Sequence, residues 1–168
     1  ENFSVFINHA KGRTAYSVLG SVAGTEADRE DSESISNDLG FRFKAFDDQL
    51  LASLVVFESA RTNLEYTNPL YEAGVSGPDV VESYYDGEEQ TKGVELDLNA
   101  HLNEQWKVNV NGVYQDARDK SNPNSSSYDT RQKGVPYVTA STWVTYYADM
   151  FNLPEAVNIS GGITFVDN

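Results

Sequence analysis

Residues 93–102, GVELDLNAHL, place Val94, Leu96, Leu98, Ala100 and Leu102 on one parity and Glu95, Asp97, Asn99 and His101 on the other. Alternation of this length demands an extended strand, because successive strand side chains leave opposite faces whereas a helix returns to one face every 3.6 residues. One face is dry and the other carries carboxylates. Two architectures accept such a strand: a soluble antiparallel sheet with one covered face, and the wall of a membrane barrel with lipid outside and water inside.

The pattern recurs along the chain. Alternating or apolar runs at 2–9, 34–46, 50–60, 92–102, 105–115, 137–148 and 157–166 predict seven strands. In the second, Ile35, Leu39, Phe41 and Phe43 alternate with Ser36, Asp38, Gly40, Arg42 and Lys44, and Asn37 is the polar intruder on the apolar parity. In the fifth, the parity of Trp106, Val108, Val110, Gly112 and Tyr114 runs through Asn111-Gly112. That dipeptide is therefore read as strand rather than as the hairpin turn it often forms. The third run, LLASLVVFESA, and the sixth, YVTASTWVTYYA, are weak in parity, and their faces stay open.

Connection lengths discriminate further. FDDQ (46–49), NEQ (103–105) and DMFNLPEA (149–156) are tight, whereas 10–33, 61–91 and 116–136 are long, polar and rich in Gly, Ser, Asn, Asp and Tyr. Up-and-down connectivity puts every tight turn on one rim and every long loop on the other, which is the asymmetry of outer-membrane barrels. Aromatics mark both rims, with Phe46, Trp106, Tyr146 and Tyr147 near the tight turns and Tyr114 and Phe165 near the long loops. Such girdles belong at membrane interfaces, although aromatics are common in any strand.

Composition removes other classes. A chain of 168 residues supports one domain, and its net charge of -14 with a pI near 4.3 argues against a nucleic-acid partner, since phosphate backbones attract clustered Lys and Arg. The absence of Cys excludes disulfides, thiolate metal sites and Cys nucleophiles. No window holds the roughly 20 apolar residues of a spanning helix, but a spanning strand needs only about 9 to 11 in alternation, so the mean hydropathy of -0.49 does not count against a barrel. There is no Gly-rich phosphate loop, HExxH, EF-hand spacing or GxSxG, and with only His9 and His101 available no catalytic set and no cofactor site is expected. DREDSES (28–34) lacks regular ligand spacing and reads as a solvated charge run rather than a metal site.

QTKGVELDLNAHLNEQWKVNVNGVYQDA (90–117) resembles a recurring pattern of TonB-dependent outer-membrane receptors of the siderophore type. A basic residue, Gly, a hydrophobe and Glu open a strand; a turn with Trp follows; the next strand ends in Tyr and an acidic residue. DSESISNDLGFRFKAFDDQLLASLVVFESARTN (31–63) is similar to that family's tight hairpin leading into an Arg-Thr-Asn loop start, and GVPYVTASTWVTYY (134–147) to its Pro-initiated strand. The resemblance implies an all-β, antiparallel up-and-down transmembrane barrel segment, about seven strands of a barrel of roughly 22. Residues 1–168 are then a partial barrel domain, without the plug domain and the remaining strands, and seven strands alone do not close an ordinary bacterial barrel.

Further expectations follow from that resemblance. The protein is a receptor rather than an enzyme, sits in the outer membrane of a Gram-negative cell, and imports a scarce solute, a ferric siderophore first among the options. Its partners are the rest of the barrel and plug, the TonB machinery acting through the plug, and outer-membrane lipid. Arg42, Lys44, Glu95 and Asp97 are lumen-facing charges, solvated or paired with one another or with the plug. The acidic loop 63–90 offers Tyr66, Tyr71, Tyr84 and Tyr85 as an external ligand surface, with a charge that suits a neutral or cationic chelate better than an anionic one. The alternative is a soluble all-β binding module whose dry face packs on a second sheet or a partner.

Overall fold

The computed structural model describes residues 2–15, 31–75, 77, 80, 83–121, 128–148 and 157–167. Its long strands are β1 (Asn2–Thr14), β2 (Ser32–Ala45), β3 (Leu50–Thr67), β4 (Ser83–His101), β5 (Trp106–Asp119), β7 (Val138–Ala148) and β8 (Val157–Val166). A four-residue helix, α1 (Pro69–Glu72), and a two-residue strand, β6 (Thr130–Arg131), complete the elements. The seven long strands match the seven alternating runs; β6 is an addition that the sequence did not announce. They form one antiparallel sheet in the order β1-β2-β3-β4-β5-β7-β8, with β6 paired to β5. This is up-and-down connectivity in an open sheet, with β1 and β8 at its edges.

Register turns the alternation into two continuous faces. Val94 stands between Val56 and Tyr114, Leu96 between Leu54 and Gly112, and Leu98 between Ala52 and Val110. The same rows continue to Phe41 and Phe43 on one side and to Val138 and Ala140 on the other. Pairing therefore assigns the two strands whose sequence left their faces open: Leu50, Ala52, Leu54 and Val56 of β3, and Val138, Ala140 and Val144 of β7, join the apolar face. Asn37 is no flaw in that face, because it lies opposite His9 at the band's outer edge, with Asn37 Oδ1 2.7 Å from His9 Nδ1.

No second layer covers the apolar face among the described residues. Ile7 is 81% and Ile163 79% exposed, and among the described residues the buried hydrophobics are Ala45, Ala100, Ala117 and Ala148. A large aliphatic or aromatic side chain left in water forgoes about 1.5–3 kcal/mol. A face of this extent therefore requires an apolar environment from outside the sheet, which disfavours the soluble sandwich. From Trp106 to Tyr114 the band runs about 27 Å along the strand at about 3.4 Å per residue, or about 20 Å in height at barrel-like tilt. The residues from Trp106 to Tyr114 are as many as a tilted transmembrane strand uses for a crossing, about 9 to 11.

The opposite face is polar and carries its own cross-strand ladder. Asn8 Nδ2 donates to Asp38 Oδ2 at 2.8 Å, Ser141 Oγ to Asn111 Oδ1 at 2.8 Å, and the Thr145 and Ser160 hydroxyls lie 2.9 Å apart. Phe6, Phe57 and Trp143 also lie on that face, and each stands opposite a glycine: Phe6 and Gly40, Phe57 and Gly93, Trp143 and Gly162. A Cβ at any of these glycines would strike the ring that lies across it. The ring covers backbone that glycine leaves bare, so both residues of each pair are fixed together. Phe57 is one reason why β3 reads as apolar on both parities.

Two tight turns are described, and 149–156 lies outside the described residues. Phe46, Asp47 and Asp48 adopt positive φ (55°, 52° and 67°), and Gln49 N donates to Phe46 O at 3.0 Å to close the β2–β3 turn. At the β4–β5 turn Asn103 Oδ1 accepts from Gln105 N (2.9 Å) and Trp106 N (3.0 Å), a side-chain cap that orients the start of β5. Trp106 and Tyr146 meet on the apolar face with ring centroids 4.7 Å apart. Tyr147, expected in the same girdle, belongs to the opposite face, opposite Asn158.

The strands overrun the apolar band on the side away from the tight turns, so the segments expected as long loops are partly wall. β3 continues to Thr67 and β4 begins at Ser83, which makes them 18 and 19 residues long, well beyond the 9–11 needed for a crossing. Above the band both faces meet water, so hydrophobic alternation ends while the backbone ladder continues. Cross-strand ion pairs replace it: Lys92 with Glu58 (3.1 Å), Arg61 with Glu89 (3.5 Å), and Lys11 with Glu33 (2.8 Å).

Candidate functional site

The β3–β4 hairpin rises above the band and holds all four tyrosines singled out in the sequence. Its pairing is regular from Leu50 opposite Ala100 to Arg61 opposite Glu89, then shifts between Arg61 and Leu64 and again between Leu64 and Tyr66. The first shift gives β3 one extra residue, and Asn63 takes the positive φ of 59° that a bulge favours. Its Nδ2 also donates to Asp31 O at 3.0 Å, tying the bulge to the start of β2. The second shift returns the extra residue through β4.

These paired bulges re-aim the side chains beyond them. Without the first bulge Tyr66 would share parity with Glu58 and Ala60 on the apolar side; with it, Tyr66 and Leu64 turn to the side of Arg61, the polar face. Gly87, opposite Leu64, makes this possible, because a Cβ there would lie 2.5 Å from Leu64 O and 3.1 Å from Ser121 Oγ. Tyr66 and Tyr84 are direct cross-strand partners with ring centroids 5.5 Å apart and planes inclined by 39°.

The ring pair is set among carboxylates. Partial burial, a hydrogen bond with Asp86, and the nearby charges of Asp86 and Asp119 push the Tyr66 phenol up to about 12. The hydroxyl is thus held protonated as a donor. Ser121 stitches β5 to β4 beside it: its Oγ accepts from Glu88 N at 3.2 Å, while Lys120 N donates to Glu88 O at 2.8 Å. The arrangement offers two inclined aromatic surfaces, a phenol and carboxylate acceptors, which suits gripping a partly apolar ligand and supplies no nucleophile–base pair. Among the described residues no group of three His, Cys, Asp or Glu side chains is placed to hold a metal ion.

The other two tyrosines stand apart. Tyr85 belongs to the opposite side of the hairpin, where its hydroxyl donates to Glu65 Oε1 at 3.3 Å. Tyr71 lies at the tip, in α1, whose first turn is capped by Asn68: Asn68 Oδ1 accepts from Leu70 N at 3.0 Å. Asn68 is 1% exposed, so this cap is the best-buried polar group of the tip. The expected loop surface is therefore mostly strand, because Tyr66, Tyr84 and Tyr85 all lie in β3 or β4.

Arg42, Lys44, Glu95 and Asp97 all share the polar face. They do not pair with one another. The Arg42 guanidinium lies 4.6 Å over the Phe6 ring, and Lys44 approaches Asp48 of the turn at 3.7 Å. Asp97 stands between Ser53 and Asn111, and Glu95 between Val55 and Val113.

A second cluster, absent from the sequence reading, sits where β6 joins β5. Arg118 pairs with Asp116 at 2.8 Å and with Asp129 at 3.5 Å, and Lys120 also meets Asp129. The Asp116 hydrogen bond holds the Arg118 guanidinium above its usual range, and the hydrogen bond from Lys120 holds the Asp129 carboxyl below its own. Arg131 Cζ lies 3.5 Å over the centre of the Tyr137 ring, and Tyr137 stacks on Tyr114 at 6.3 Å with planes 12° apart. Tyr114 was legible as an interface aromatic; its ring partner Tyr137 directly precedes β7, and Arg131 comes from β6, which has no periodicity to read.

Residues 2–168 match the family model described as TonB dependent receptor-like, beta-barrel. Among solved structures, the chain is similar to the ferric yersiniabactin uptake receptor FyuA of Yersinia pestis (TM-score 0.71, 18% identity, 98% of this chain and 23% of that one). It is also similar to FpvA of P. aeruginosa bound to heterologous pyoverdines (0.70, 19%, 98% and 21%) and to the siderophore receptor PiuA of Acinetobacter baumannii (0.70, 17%, 99% and 24%). The chain spans less than a quarter of each of these structures. The single-layer sheet with one apolar and one polar face, its segregated turn lengths and the match over 2–168 place this chain in the TonB-dependent receptor family, in its β-barrel domain.

Proposed function

We propose that this chain is a wall segment of an outer-membrane receptor that imports a ferric siderophore, with the polar face lining the aqueous bore. The barrel domain of this family lies in the outer membrane, and its members are transporters rather than enzymes. The observation that carries the reading is the uncovered apolar band, about 20 Å tall and bounded by aromatics, on a sheet whose other face is polar. The open edges of β1 and β8 pair with the remaining strands of a barrel of roughly 22 strands. A plug domain fills the bore, and the TonB machinery acts on that plug; Arg42, Lys44, Glu95 and Asp97 are wall charges that face it.

In this reading Tyr66 and Tyr84 form part of the external ligand surface, on the bore side of the rim. Tyr85, turned the other way, does not. Tyr71 at the tip meets the ligand on entry. The carboxylates beside the ring pair favour a neutral or cationic ferric chelate over an anionic one.

The test is binding of a ferric-chelate panel to the intact receptor, followed by intrinsic fluorescence quenching. Each lost ring contact removes about 0.5–1.5 kcal/mol, so Tyr66→Ala with Tyr84→Ala weakens the cognate chelate about tenfold or more. Tyr85→Ala leaves binding within about twofold on the same scale. Unchanged affinity in the double variant removes these tyrosines from the ligand surface. A receptor that takes up no ferric chelate at all, but transports another solute, overturns the substrate class.

A further inference from the structure

The outer extension separates neutralised from unneutralised cations. Lys11 and Arg13 share Glu33, Lys92 has Glu58, and Arg118 and Lys120 have Asp129. Among the described residues Arg131 and Lys133 have no carboxylate within ion-pair distance, although the chain carries 26 Asp and Glu against 12 Lys and Arg. In so acidic a chain, two adjacent free cations are unusual enough to ask what they meet.

Their position answers part of the question. Arg131 pairs with Arg118, which shares parity with Asp116, Tyr114 and Val94, so both arginines stand on the apolar side of the sheet, beyond its outer edge. The Arg131 guanidinium carbon sits 3.5 Å over the Tyr137 ring centroid, and Tyr137 stacks on Tyr114, the aromatic that ends the apolar band on β5. Arg131 is thus two ring contacts from the hydrocarbon boundary, at the depth of lipid headgroups. Its Nη2 also donates to Val135 O, which fixes the fork. Arg131 and Lys133 line a cavity of about 360 Å³ with Gly134, Pro136 and Asp167, and they also border a second one with Glu89 and Asp119.

We propose that Arg131 and Lys133 dock a phosphate group of an outer-leaflet lipid headgroup. A planar guanidinium matches phosphate oxygens through paired N–H donors, and stacking on Tyr137 pre-orders it, so little side-chain freedom is lost on binding. The lipid chains would lie along the band below, over Tyr114 and Val94. A soluble anion would gain the charge contact but not the apolar one, which selects a lipid over free phosphate.

The intact receptor in neutral detergent is titrated with diphosphorylated lipid A and followed by native mass spectrometry. The double variant Arg131→Ala, Lys133→Ala is expected to weaken binding about tenfold or more, and fully dephosphorylated lipid A to bind the wild type equally weakly. Lys133→Ala alone, which leaves the Tyr137 stack in place, is expected to weaken it about threefold. Retention of heat-shifted gel mobility shows that each variant is folded. Equal affinity of wild type and Lys133→Ala for diphosphorylated lipid A overturns the proposal. So does displacement of the lipid by inorganic phosphate at matched concentration, which would mark a site for free anions.

Discussion

Gly162 and its neighbour Gly161 give a sharp internal comparison. Both lie in β8, one residue apart, so their backbone propensities are matched and their side chains would leave opposite faces. A Cβ at Gly161 meets nothing within 4 Å, whereas a Cβ at Gly162 would enter the Trp143 ring and approach Thr142 O at 2.5 Å. The first contact is with a large ring packed on the sheet and the second with backbone, so neither gives way cheaply. Overpacking of this kind costs about 1–3 kcal/mol, against a gain of about 0.5–1 kcal/mol from replacing a strand glycine with alanine. Gly162→Ala should therefore destabilise the complete barrel by about 1–2 kcal/mol, and Gly161→Ala should leave it unchanged or slightly more stable. Urea unfolding of the receptor in lipid bilayers, followed by heat-shifted mobility and tryptophan fluorescence, measures both. A Trp143→Ala background removes the ring but not the carbonyl contact, so a double-mutant cycle should return a coupling of about 1 kcal/mol. Equal stability of the two alanine variants would refute ring-over-glycine packing as the reason for Phe6, Phe57 and Trp143 on the polar face.

Other consequences are more local. Asn103→Ala removes the acceptor for Gln105 N and Trp106 N and should cost about 1 kcal/mol, with Asn103→Asp close to wild type; the unfolding midpoint reports it. The Tyr66 phenol, raised to about 12 chiefly by burial and by Asp86, stabilises the hairpin fully below about pH 10 and loses that contribution as pH rises through 12. The difference in phenolate absorbance between wild type and Tyr66→Phe should emerge near pH 12, and Asp86→Asn should bring it closer to 10. Glu33, held below its usual range by the hydrogen bond from Lys11 and by Arg13, stabilises the β1–β2 extension above the ordinary carboxylate range and loses that support as pH falls through its lowered value. Amide protection factors at β1, corrected for the intrinsic pH dependence of exchange, should fall at low pH in wild type and stay constant over that range in Glu33→Gln.

The parts of the fold set by one dry face and one wet face were legible. The strand around Val94–Ala100, the parity through Asn111-Gly112 and the tight turns at 46–49 and 103–105 followed from periodicity and turn chemistry alone. Legibility failed wherever the two faces had similar neighbours. β3 read as apolar on both parities because Phe57 covers Gly93 and Val55 lies opposite Glu95. The extension of β3 to Thr67 and of β4 back to Ser83 was invisible because water bathes both sides there, and a backbone ladder leaves no mark on composition. The candidate site was half legible. The tyrosines could be singled out as amphipathic rings, but which two meet depends on bulges at Asn63 and before Gly87, and Asp119 joins them from a different hairpin. Arg131 and Tyr137 are close in sequence, but the non-periodic turn through Gly134, at a φ of 82°, is what brings them together, and no alternation announces it.

These 168 residues hold no cysteine, so in the complete receptor, with any cysteine elsewhere replaced, single substitutions can carry a nitroxide at Val94, Glu95, Leu96, Asp97 and Leu98 after reconstitution in bilayers. Collision with lipid-soluble oxygen and with an aqueous nickel chelate then reports each site's surroundings. The expected result alternates: oxygen-accessible and nickel-shielded at Val94, Leu96 and Leu98, with oxygen-poor labels at Glu95 and Asp97 reached by the chelate through the bore. Oxygen access that fails to alternate, or nickel access at the three apolar positions, would contradict a lipid-facing stripe and with it the barrel wall.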